Sequence, residues 1–384
     1  MTIEDTTAAP SAAAPISALF TSFDLGTLHV PNRFVMAPMT REFSPEGTVT
    51  DDVVGYYARR AAAGVGLLIT EGVYVSEDSG PSTRVPRLFG DAQLAAWTRL
   101  VAEVHAAGGR IVPQLWHLGA ARGDHAEFNP ELPSLSPSGI APNGSARGRA
   151  ATIEELARIR DDFARAAAAA KDAGFDGVEL HGAHGYLLDQ FLWAGTNKRE
   201  DQYGGSLEAR LRFPSEVAAA VRAAVGPDFP VIFRFSQWKS GDYGARIAET
   251  PDELGTILRT LAEAGVSAFH PSTRRHWEPA FPDLPDSEHA RLGLAGWTKR
   301  LSGLPVITVG SVGLDNEFEV TWQDGGRSEV RGLDALLEQF GRGEFDLVAV
   351  GRVLLSDPAW VAKVRDGRTG EIRPFSAEDR LSLS

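Results

Sequence analysis

Two histidines and a tyrosine lie within six residues of each other in the segment HGAHGY, as His181, His184 and Tyr186. Imidazole N–H groups can stabilise negative charge that develops on a carbonyl or nitro oxygen. A phenol, whose pKa is about 10, can give a proton to a carbanion at neutral pH. This combination suggests the reduction of an electron-poor alkene, in which two donors hold the activating group and the phenol protonates carbon.

Two other interpretations of these histidines remain open. Each could be a structural side chain, although a pair three residues apart, followed by a tyrosine, makes that reading weaker. A metal site is the second alternative, but no glutamate lies between the histidines, as a His-Glu-x-x-His motif requires. A metal-dependent hydrolase would need a further ligand, such as His117 or Asp189.

A buried cation and two glycine clusters are further candidates. Arg234 stands in the apolar run VIFRFS, where a charge needs a partner: either a carboxylate or an anion that forms during catalysis. Gly310 and Ser311 follow one later apolar run, and Gly351 and Arg352 follow the next. Barrels of parallel strands frequently bind phosphate after their last two strands. Neither cluster matches a Walker loop or the Gly-x-Gly-x-x-Gly dinucleotide turn.

Short apolar runs alternate with Ala-rich amphipathic stretches along the chain, which is typical of βα units. Eight such runs predict strands, at residues 33–38, 66–70, 111–115, 177–180, 231–236, 268–271, 305–310 and 347–351. The most legible helices are predicted at residues 153–173, 207–224, 251–264 and 333–341, the first with Thr152 as N-cap, Glu155 three residues on and Gly174 as C-cap. Eight alternations favour a closed (β/α)8 TIM barrel, an α/β fold that carries its function where strands end.

The remaining segments complete this organisation. Residues 1–18, rich in Ala, Thr, Ser and Pro, predict a disordered tail, and residues 19–384 predict one barrel domain. Residues 23–32 alternate like a small hairpin that could plug the bottom of the barrel. Residues 122–151 predict a long βα loop over the C-terminal mouth, and residues 314–330 an insertion after the seventh strand.

Composition excludes several classes of protein. The 384 residues include no cysteine, which excludes disulfides, thiolate catalysis and cysteine-ligated metal centres. The formal net charge of -13 argues against binding to nucleic acid or to an anionic membrane. We find neither a secretory signal nor an apolar run of about 18 residues that could span a membrane. We therefore expect a soluble, cytoplasmic protein that acts on a small molecule.

Taken together, these segments resemble the Old Yellow Enzyme family of flavin oxidoreductases, in the family's order from about residue 19 to residue 364. The most specific string is HGAHGYLLDQFL, which continues through NKREDQYGGS. The segments APMTR, TEG, PQLWH, RFS and VGR support it independently. The resemblance implies FMN at the barrel mouth, NADPH or NADH as reductant, and a ping-pong ene-reductase that reduces activated alkenes.

The resemblance also implies roles for individual residues. Its FMN site would comprise Pro38, Met39, Thr40, Gly72, Gln114, His181, Arg234, Gly310, Ser311, Gly351 and Arg352. Within it, Thr40 would contact the flavin O4 edge, Gln114 and Arg234 the pyrimidine side, and the last four residues the phosphate. The substrate pocket would comprise His181, His184, Tyr186, Trp116, Trp277 and Phe281, with the two histidines on the activating oxygen and Tyr186 as proton donor. No metal is implied.

The sequence leaves several questions open. The loop at residues 270–281 differs from the best-known members, so Trp277 and Phe281 could either shape the pocket or stabilise a surface loop. A non-catalytic flavin-binding barrel, and a metal-dependent hydrolase using His117, His181 and His184, are the alternative functions. The physiological substrate and the oligomeric state are undetermined. So is the choice of NADH or NADPH, for which the candidate mouth arginines are Arg122, Arg147, Arg149, Arg274 and Arg275.

Overall fold

Eight parallel strands form a closed barrel in the computed structural model, which describes residues 13–285, 289–323 and 325–384. The strands within the described residues are β1 Phe23–Leu25, β2 Leu28–Val30, β3 Phe34–Met36, β4 Leu67–Tyr74, β5 Arg110–Trp116, β6 Leu135–Ser136, β7 Arg149–Ala150, β8 Val178–His184, β9 Val231–Lys239, β10 Ala268–Pro271, β11 Ile307–Val309, β12 Arg327–Ser328, β13 Leu347–Val350 and β14 Phe375–Ser376. In the barrel the hydrogen-bonded order is β10-β9-β8-β5-β4-β3-β13-β11, and bridges Phe269–Val306 and Ser272–Val309 join the two ends of this order. The predicted (β/α)8 fold is therefore confirmed.

Helices lie between the barrel strands and cover their outer faces. They are α1 Asp51–Ala62, α2 Asp91–Ala106, α3 Ile153–Asp172, α4 Leu187–Leu192, α5 Leu207–Val225, α6 Pro251–Glu263, α7 Leu294–Ser302, α8 Phe318–Gln323, α9 Asp334–Gly341, α10 Val353–Ser356 and α11 Trp360–Arg365. The four helices predicted from the sequence are present within two residues of their predicted ends. The N-cap of α3 forms the expected capping box between Thr152 and Glu155. Its C-cap is Ala173, and Gly174 follows with φ of 91°.

The barrel has two hydrophobic layers. Between strands and helices, α1, α2, α3, α5 and α6 pack their apolar faces on the outside of the sheet. Inside the barrel, Leu67, Val112 and Ile232 pack in one cluster with Leu25 and Leu28 of the β1–β2 hairpin. The hairpin thus closes the N-terminal end, as its alternating sequence predicted, and leaves the C-terminal mouth as the end that can hold a ligand.

Strands β4, β8 and β9 run further than the apolar runs that predicted them. The register of β4 against β5 shifts between Ile69 and Gly72, where β4 has the extra residue. The register of β8 against β9 shifts between Gly182 and His184, where the extra residues lie in β9. Such irregularities let the ladder continue past the polar side chains that end an apolar run, so the predicted ends of these three strands were too early.

The excursions from the barrel are packed onto it. Of the tail predicted to be disordered, residues 1–12 lie outside the described residues, whereas Ile16–Phe20 form a 3-10 helix with Leu19 buried. The insertion after β11 contains α8 and β12, and β12 pairs with β14 near the C-terminus. The segment at 122–151 contributes β6 and β7. Within the described residues, no helix is both long and apolar enough to cross a membrane.

Candidate functional site

A cavity of about 410 Å³ opens at the C-terminal ends of the barrel strands. Almost every barrel strand, or the loop that follows it, contributes to its wall. Its lining includes Pro38, Met39, Thr40, Gln114, Trp116, His181, His184, Tyr186, Arg234, Trp238, Ser272, Arg274, Gly310, Ser311, Gly351 and Arg352. The structure therefore gathers most of the residues that the sequence indicated into one place.

Local backbone geometry places the HGAHGY side chains at this mouth. At the end of β8, where its register against β9 shifts, His184 has φ of 64° and Gly185 follows at 84°. Ser236 Oγ accepts the backbone N–H of His184 at 2.9 Å and holds this turn against β9. The ring of His181 then lies 5.2 Å from that of His184 and 4.9 Å from that of Tyr186, between centroids. Two imidazoles and one phenol thus share one wall.

A buried ion pair between Lys239 and Asp189 contacts the backbone of this turn. Lys239 Nζ lies 2.9 Å from Asp189 Oδ1, and both side chains are fully buried. The other carboxyl oxygen of Asp189 accepts the backbone N–H of Gly185 at 2.6 Å. Lys239 Nζ also donates to the carbonyl oxygens of Ser236 and Gln237. One network therefore joins the HGAHGY turn to the end of β9.

Burial sets the protonation of the three aromatic groups. It lowers the pKa of His181 and of His184 well below the ordinary value, and the nearby Arg234 guanidinium lowers both further. Burial raises the pKa of Tyr186, which Arg234 partly opposes. At neutral pH the imidazoles are therefore uncharged and the phenol keeps its proton. Neutral N–H donors beside a protonated phenol fit the chemistry that the sequence suggested.

Arg234 lies across the cavity floor, in register with His181 on one neighbouring strand and with His270 on the other. Its Nη2 donates to Ser272 Oγ at 3.1 Å, and its buried Nε has no protein partner. The carboxyl group of Glu179 contributes a favourable charge to it. This buried cation therefore keeps an unused donor.

A chain of buried hydrogen bonds runs beneath that cation. Gln114 Nε2 donates to Glu179 Oε1 at 2.8 Å, and His270 Nδ1 lies 2.6 Å from Glu179 Oε2. Because the Gln114 amide nitrogen is committed to Glu179, its carbonyl oxygen is oriented away from that carboxyl. The network thus fixes the orientation of the Gln114 side-chain amide, with its nitrogen toward Glu179.

The opposite end of the cavity has a strained glycine-rich wall. Gly310 has φ of 141°, and a Cβ there would meet Thr273 Oγ1 at 2.5 Å, so no side chain fits. Ser311 follows at φ of 50°, and its hydroxyl donates to the Arg274 carbonyl at 2.8 Å. Arg352 donates to the Asn316 carbonyl and to Thr321 Oγ1. Burial lowers the pKa of Arg352 to about 10, so that it remains a cation at neutral pH.

The loop that carries Thr40 is held by a buried carboxyl group. Glu71 Oε2 accepts the backbone N–H groups of Arg41 and Glu42, at 2.9 and 3.1 Å. The Arg41 guanidinium in turn donates to main-chain carbonyls of the C-terminal segment, Arg380 among them. Burial raises the pKa of Glu71 to about 7, although the two backbone donors oppose this.

The chain is similar to proteins of a known family over most of its length. A sequence model of the NADH:flavin oxidoreductase / NADH oxidase family matches residues 18–330. The chain belongs to this family, that of Old Yellow Enzyme. The resemblance seen in the sequence is thereby confirmed, and FMN is the cofactor that membership implies.

Members from several sources share most of the chain with it. The chain is 37% identical over 363 residues to an NADH oxidase of Thermoanaerobacter brockii, covering 92% of this chain and 52% of that protein. It is 33% identical over 361 residues to 12-oxophytodienoate reductase 7 of Oryza sativa subsp. japonica, covering 90% of this chain and 87% of that protein. The chain spans about half the length of the NADH oxidase and of a metal reductase of Desulforamulus reducens.

Solved structures agree in fold. Morphinone reductase in complex with tetrahydroNAD superposes with a TM-score of 0.77 at 28% identity, covering 94% of each chain. Old Yellow Enzyme from Pichia sp. AKU4542 has a TM-score of 0.77 at 29% identity, covering 95% of this chain and 91% of that one.

The residues present fit FMN. A flavin ring carries both hydrogen-bond acceptors and a donor, and two side chains at this cavity have buried polar atoms without a protein partner: the donor Nε of Arg234, and Nδ1 of His181. At the other end of the cavity, the Arg352 guanidinium is a cation in the same wall as the turn at Gly310. There is free space beside Gly351, because a Cβ added to it would make only ordinary contacts, the nearest with Met39 at 3.7 Å. A planar ring with a phosphate tail matches these two ends.

Three residues predicted for the site are placed elsewhere in this Old Yellow Enzyme family member. Trp277 lies under the Arg331 guanidinium, 4.4 Å from it, and Phe281 is buried against Trp297. Gly72 packs against Trp116, so close that a Cβ would lie 2.3 Å from that ring. All three are among the described residues, and none lines the cavity. The aromatic loop after β10 therefore packs onto the barrel instead of lining the cavity, and Gly72 contacts Trp116, which does line it.

The histidine set proposed for a metal is also not brought together. His117 Nδ1 accepts the backbone N–H of Gly119, and its Nε2 lies 3.5 Å from Asp78, outside the cavity. Within residues 13–285, 289–323 and 325–384, no group of three or more His, Cys, Asp or Glu is placed to hold a metal ion. A hydrolase that uses His117, His181 and His184 has no support in this geometry.

Four of the five candidate mouth arginines, Arg122, Arg149, Arg274 and Arg275, pair with other groups of the protein. Arg122 donates to main-chain carbonyls, Arg149 pairs with Glu155, and Arg275 pairs with Glu278. Arg274 lines the cavity but pairs with Glu317 and Glu319. Arg147 is half-buried.

Trp238 and Ser272 line the cavity, but the sequence did not single them out. Trp238 stacks on His184 with ring centroids 4.5 Å apart and planes 24° from parallel. Both residues lie just beyond a predicted strand end, which is the position that marks functional residues in such barrels. Their position after a predicted strand end is therefore the feature of the sequence that could have identified them as cavity residues.

Proposed function

We propose that this protein is an FMN-dependent ene-reductase that uses NAD(P)H to reduce a C=C bond activated by a carbonyl, nitro or similar group. The observation that carries the proposal is the wall formed by His181, His184 and Tyr186, which faces the same cavity as the buried Arg234. The reductases named among its relatives, of 12-oxophytodienoate, of morphinone and of chanoclavine-I aldehyde, support the same reaction class.

The two ends of the cavity are assigned to the two ends of FMN. We assign Pro38, Met39, Thr40, Gln114, His181 and Arg234 to the ring, and Gly310, Ser311, Gly351 and Arg352 to the phosphate. When bound, FMN supplies a hydride carrier that is loaded by NADH or NADPH and unloaded onto the β-carbon of the alkene. Arg234 contributes a fixed positive charge and the free donor Nε on the ring side.

The histidines hold the activating oxygen of the substrate. Both are neutral because of burial, so each presents an N–H donor without the cost of a second charge beside Arg234. Donors that are already oriented toward an oxygen on which charge develops stabilise the transition state more than the ground state. His181 and His184 therefore polarise the alkene and fix its orientation.

Tyr186 delivers the proton to the α-carbon. Its raised pKa keeps the phenol protonated through the neutral range, so the proton is present when the carbanion forms. The ring is positioned by an edge-to-face contact with Trp116, 5.0 Å between centroids. The phenol hydroxyl is then the general acid, and the contact with Trp116 fixes the position of its ring.

A comparison of the two half-reactions tests the proposal. In Tyr186→Phe, reduction of bound FMN by NADPH should be unchanged, whereas reoxidation by cyclohexenone should slow by roughly 10²- to 10⁴-fold, since a general acid is lost. Tyr203→Phe is the matched control, because the Tyr203 hydroxyl bonds to Glu216 and its side chain does not line the cavity. Equal losses in both half-reactions would contradict the role of Tyr186, and no reoxidation by any enone in the wild-type protein would point to a non-catalytic flavin barrel.

A further inference from the structure

The Ser272 hydroxyl bridges the two sides of the cavity. Its Oγ lies 3.1 Å from Arg234 Nη2 and 2.8 Å from His184 Nε2. Ser272 is buried, with 2% of its surface exposed. A single hydroxyl thus connects the residue assigned to the cofactor with a residue assigned to the substrate.

The position of this hydroxyl is fixed by its backbone. The Ser272 N–H donates to the Phe235 carbonyl at 2.7 Å, and the Ser272 carbonyl accepts from Trp238 Nε1 at 3.1 Å. The same Trp238 ring stacks on His184. Serine and imidazole are therefore held against each other by one tryptophan. The stack fixes the plane of the His184 ring, and a 180° flip within that plane would move Nε2 away from Ser272 Oγ.

Counting protons gives the direction of each hydrogen bond. Arg234 has only donors, so its Nη2 must donate to Ser272 Oγ. If His184 Nε2–H also donated, the serine proton would need a third partner. Among the described residues, Arg234 and His184 are the side chains that bond to Ser272 Oγ. Every donor and acceptor of this cluster has a partner if the Ser272 hydroxyl accepts from Arg234 and donates its own proton to an unprotonated His184 Nε2.

We propose that Ser272 is a positioning residue that holds His184 in the tautomer protonated on Nδ1, so that this histidine presents an N–H donor to the activating oxygen of the substrate. The inference rests on the proposed function. His184 lines the cavity, and with Nε2 occupied by Ser272 the nitrogen left for a ligand is Nδ1. In the other tautomer Nδ1 would be an acceptor and would repel a carbonyl oxygen.

The cation of Arg234 strengthens this effect. A hydroxyl that accepts a hydrogen bond from a charged group becomes a better donor, because bonds in a chain polarise one another. Arg234 thereby biases the tautomer of His184 through Ser272, although the two residues are assigned to different ligands. His181 differs, since its Nδ1 is buried without a protein partner.

Two measurements on the FMN-loaded protein test this role. The first is the ¹⁵N spectrum of histidine-labelled protein, with the His184 signals assigned by their loss in His184→Asn. The wild-type protein should show His184 protonated on Nδ1, and Ser272→Ala should shift it toward Nε2. Ser272→Thr keeps the hydroxyl and should restore the wild-type pattern. A wild-type His184 protonated on Nε2 would overturn the inference.

The second measurement is a double-mutant cycle on the oxidative half-reaction. FMN is reduced with dithionite, so that nicotinamide binding does not enter, and reoxidation by cyclohexenone is followed. Ser272→Ala should slow it by up to about 10²-fold, the lower end of the loss expected when one donor to a developing oxyanion is removed. In a His184→Asn background the same change should have little effect, because an amide NH2 donates without any tautomer to set.

The outcomes separate the two proposals. Equal effects of Ser272→Ala in both backgrounds would show that the serine acts through packing or through Arg234 alone, and would overturn its role toward His184. If the wild-type protein does not reduce cyclohexenone or any other enone, the proposed function fails, whereas the ¹⁵N spectrum still decides which nitrogen of His184 carries the proton.

Discussion

Lys239 and Asp189 form an ion pair of 2.9 Å with neither side chain exposed to solvent. Burial raises the pKa of Asp189 to about 6, which Lys239 opposes, so the carboxylate is ionised at neutral pH. The pair also receives the backbone N–H of Gly185, within the turn that carries His184 and Tyr186. Its position indicates a structural role directly beneath the reactive side chains.

Removing one partner of this pair should destabilise the fold strongly. Asp189→Asn would leave a buried ammonium without a counter-charge, at a cost of about 3–5 kcal/mol in the free energy of unfolding. Arg368→Ala, which breaks the exposed pairs with Asp366 and Glu371, is the control and should cost less than about 1 kcal/mol. Urea unfolding at neutral pH measures both, and equal small effects would show that the buried pair is dispensable.

Arg352 should matter for the phosphate of FMN and not for its ring. Arg352→Met keeps much of the buried stem but loses a charged donor, so FMN should bind the apoprotein about 10- to 100-fold more weakly. Riboflavin has the same ring without the phosphate, and its affinity should be unchanged. Titration of the apoprotein with both ligands makes this comparison. A parallel loss for riboflavin would place Arg352 elsewhere than at the phosphate.

Glu71 should make stability depend on pH in the neutral range. Its folded pKa is raised from 4.5 to about 7, so between these values the unfolded chain releases a proton that the folded protein keeps. Stability should therefore fall as the pH rises through this window, by up to about 3 kcal/mol, and then level off above it. Glu71→Gln cannot ionise and should lack this fall.

Thermal unfolding of the two proteins from about pH 4 to about pH 8 measures the difference. Because all other groups titrate alike in both, the difference between the curves isolates Glu71. Curves that stay parallel would show that Glu71 is already ionised in the folded protein at low pH.

Trp238 and Trp277 should differ in their effect on substrate choice. Trp238 lines the cavity and stacks on His184, so Trp238→Ala should change the ratio of kcat/KM for cyclohexenone and a bulkier cyclic enone by about tenfold. Trp277 packs under Arg331 away from the cavity, so Trp277→Ala should leave that ratio unchanged. A shift with Trp277 and none with Trp238 would reverse the assignment of the pocket wall.

The fold could be predicted from the sequence because its signals are local. The barrel strands are apolar runs, Thr152 and Glu155 form a capping box, and the hairpin alternates with period two around Gly26, which has φ of 63°. The ends of β4, β8 and β9 were missed because a register shift is a relation between two paired strands. The apolar run of one strand does not show how its partner is aligned with it.

The candidate site was predictable where an apolar run marks a residue: His181 directly follows one run, Arg234 interrupts another and Gly310 ends a third. It was not predictable where a loop residue could lie either in the cavity or against the outside of the barrel. Trp277 and Phe281 were expected at the pocket, yet Phe281 packs on Trp297 of α7. Ser272 was missed because its role depends on Arg234, 38 residues away, and on His184, 88 residues away. Such pairings appear only when the barrel closes.

The absorption spectrum of the purified protein during anaerobic addition of NADPH or NADH, and then of cyclohexenone, tests the central claim most directly. We expect a flavin band that bleaches on addition of the reduced nicotinamide and returns on addition of the enone, with the saturated ketone as product. A colourless protein that also fails to bind added FMN would contradict the account, as would a bleached band that the enone does not restore.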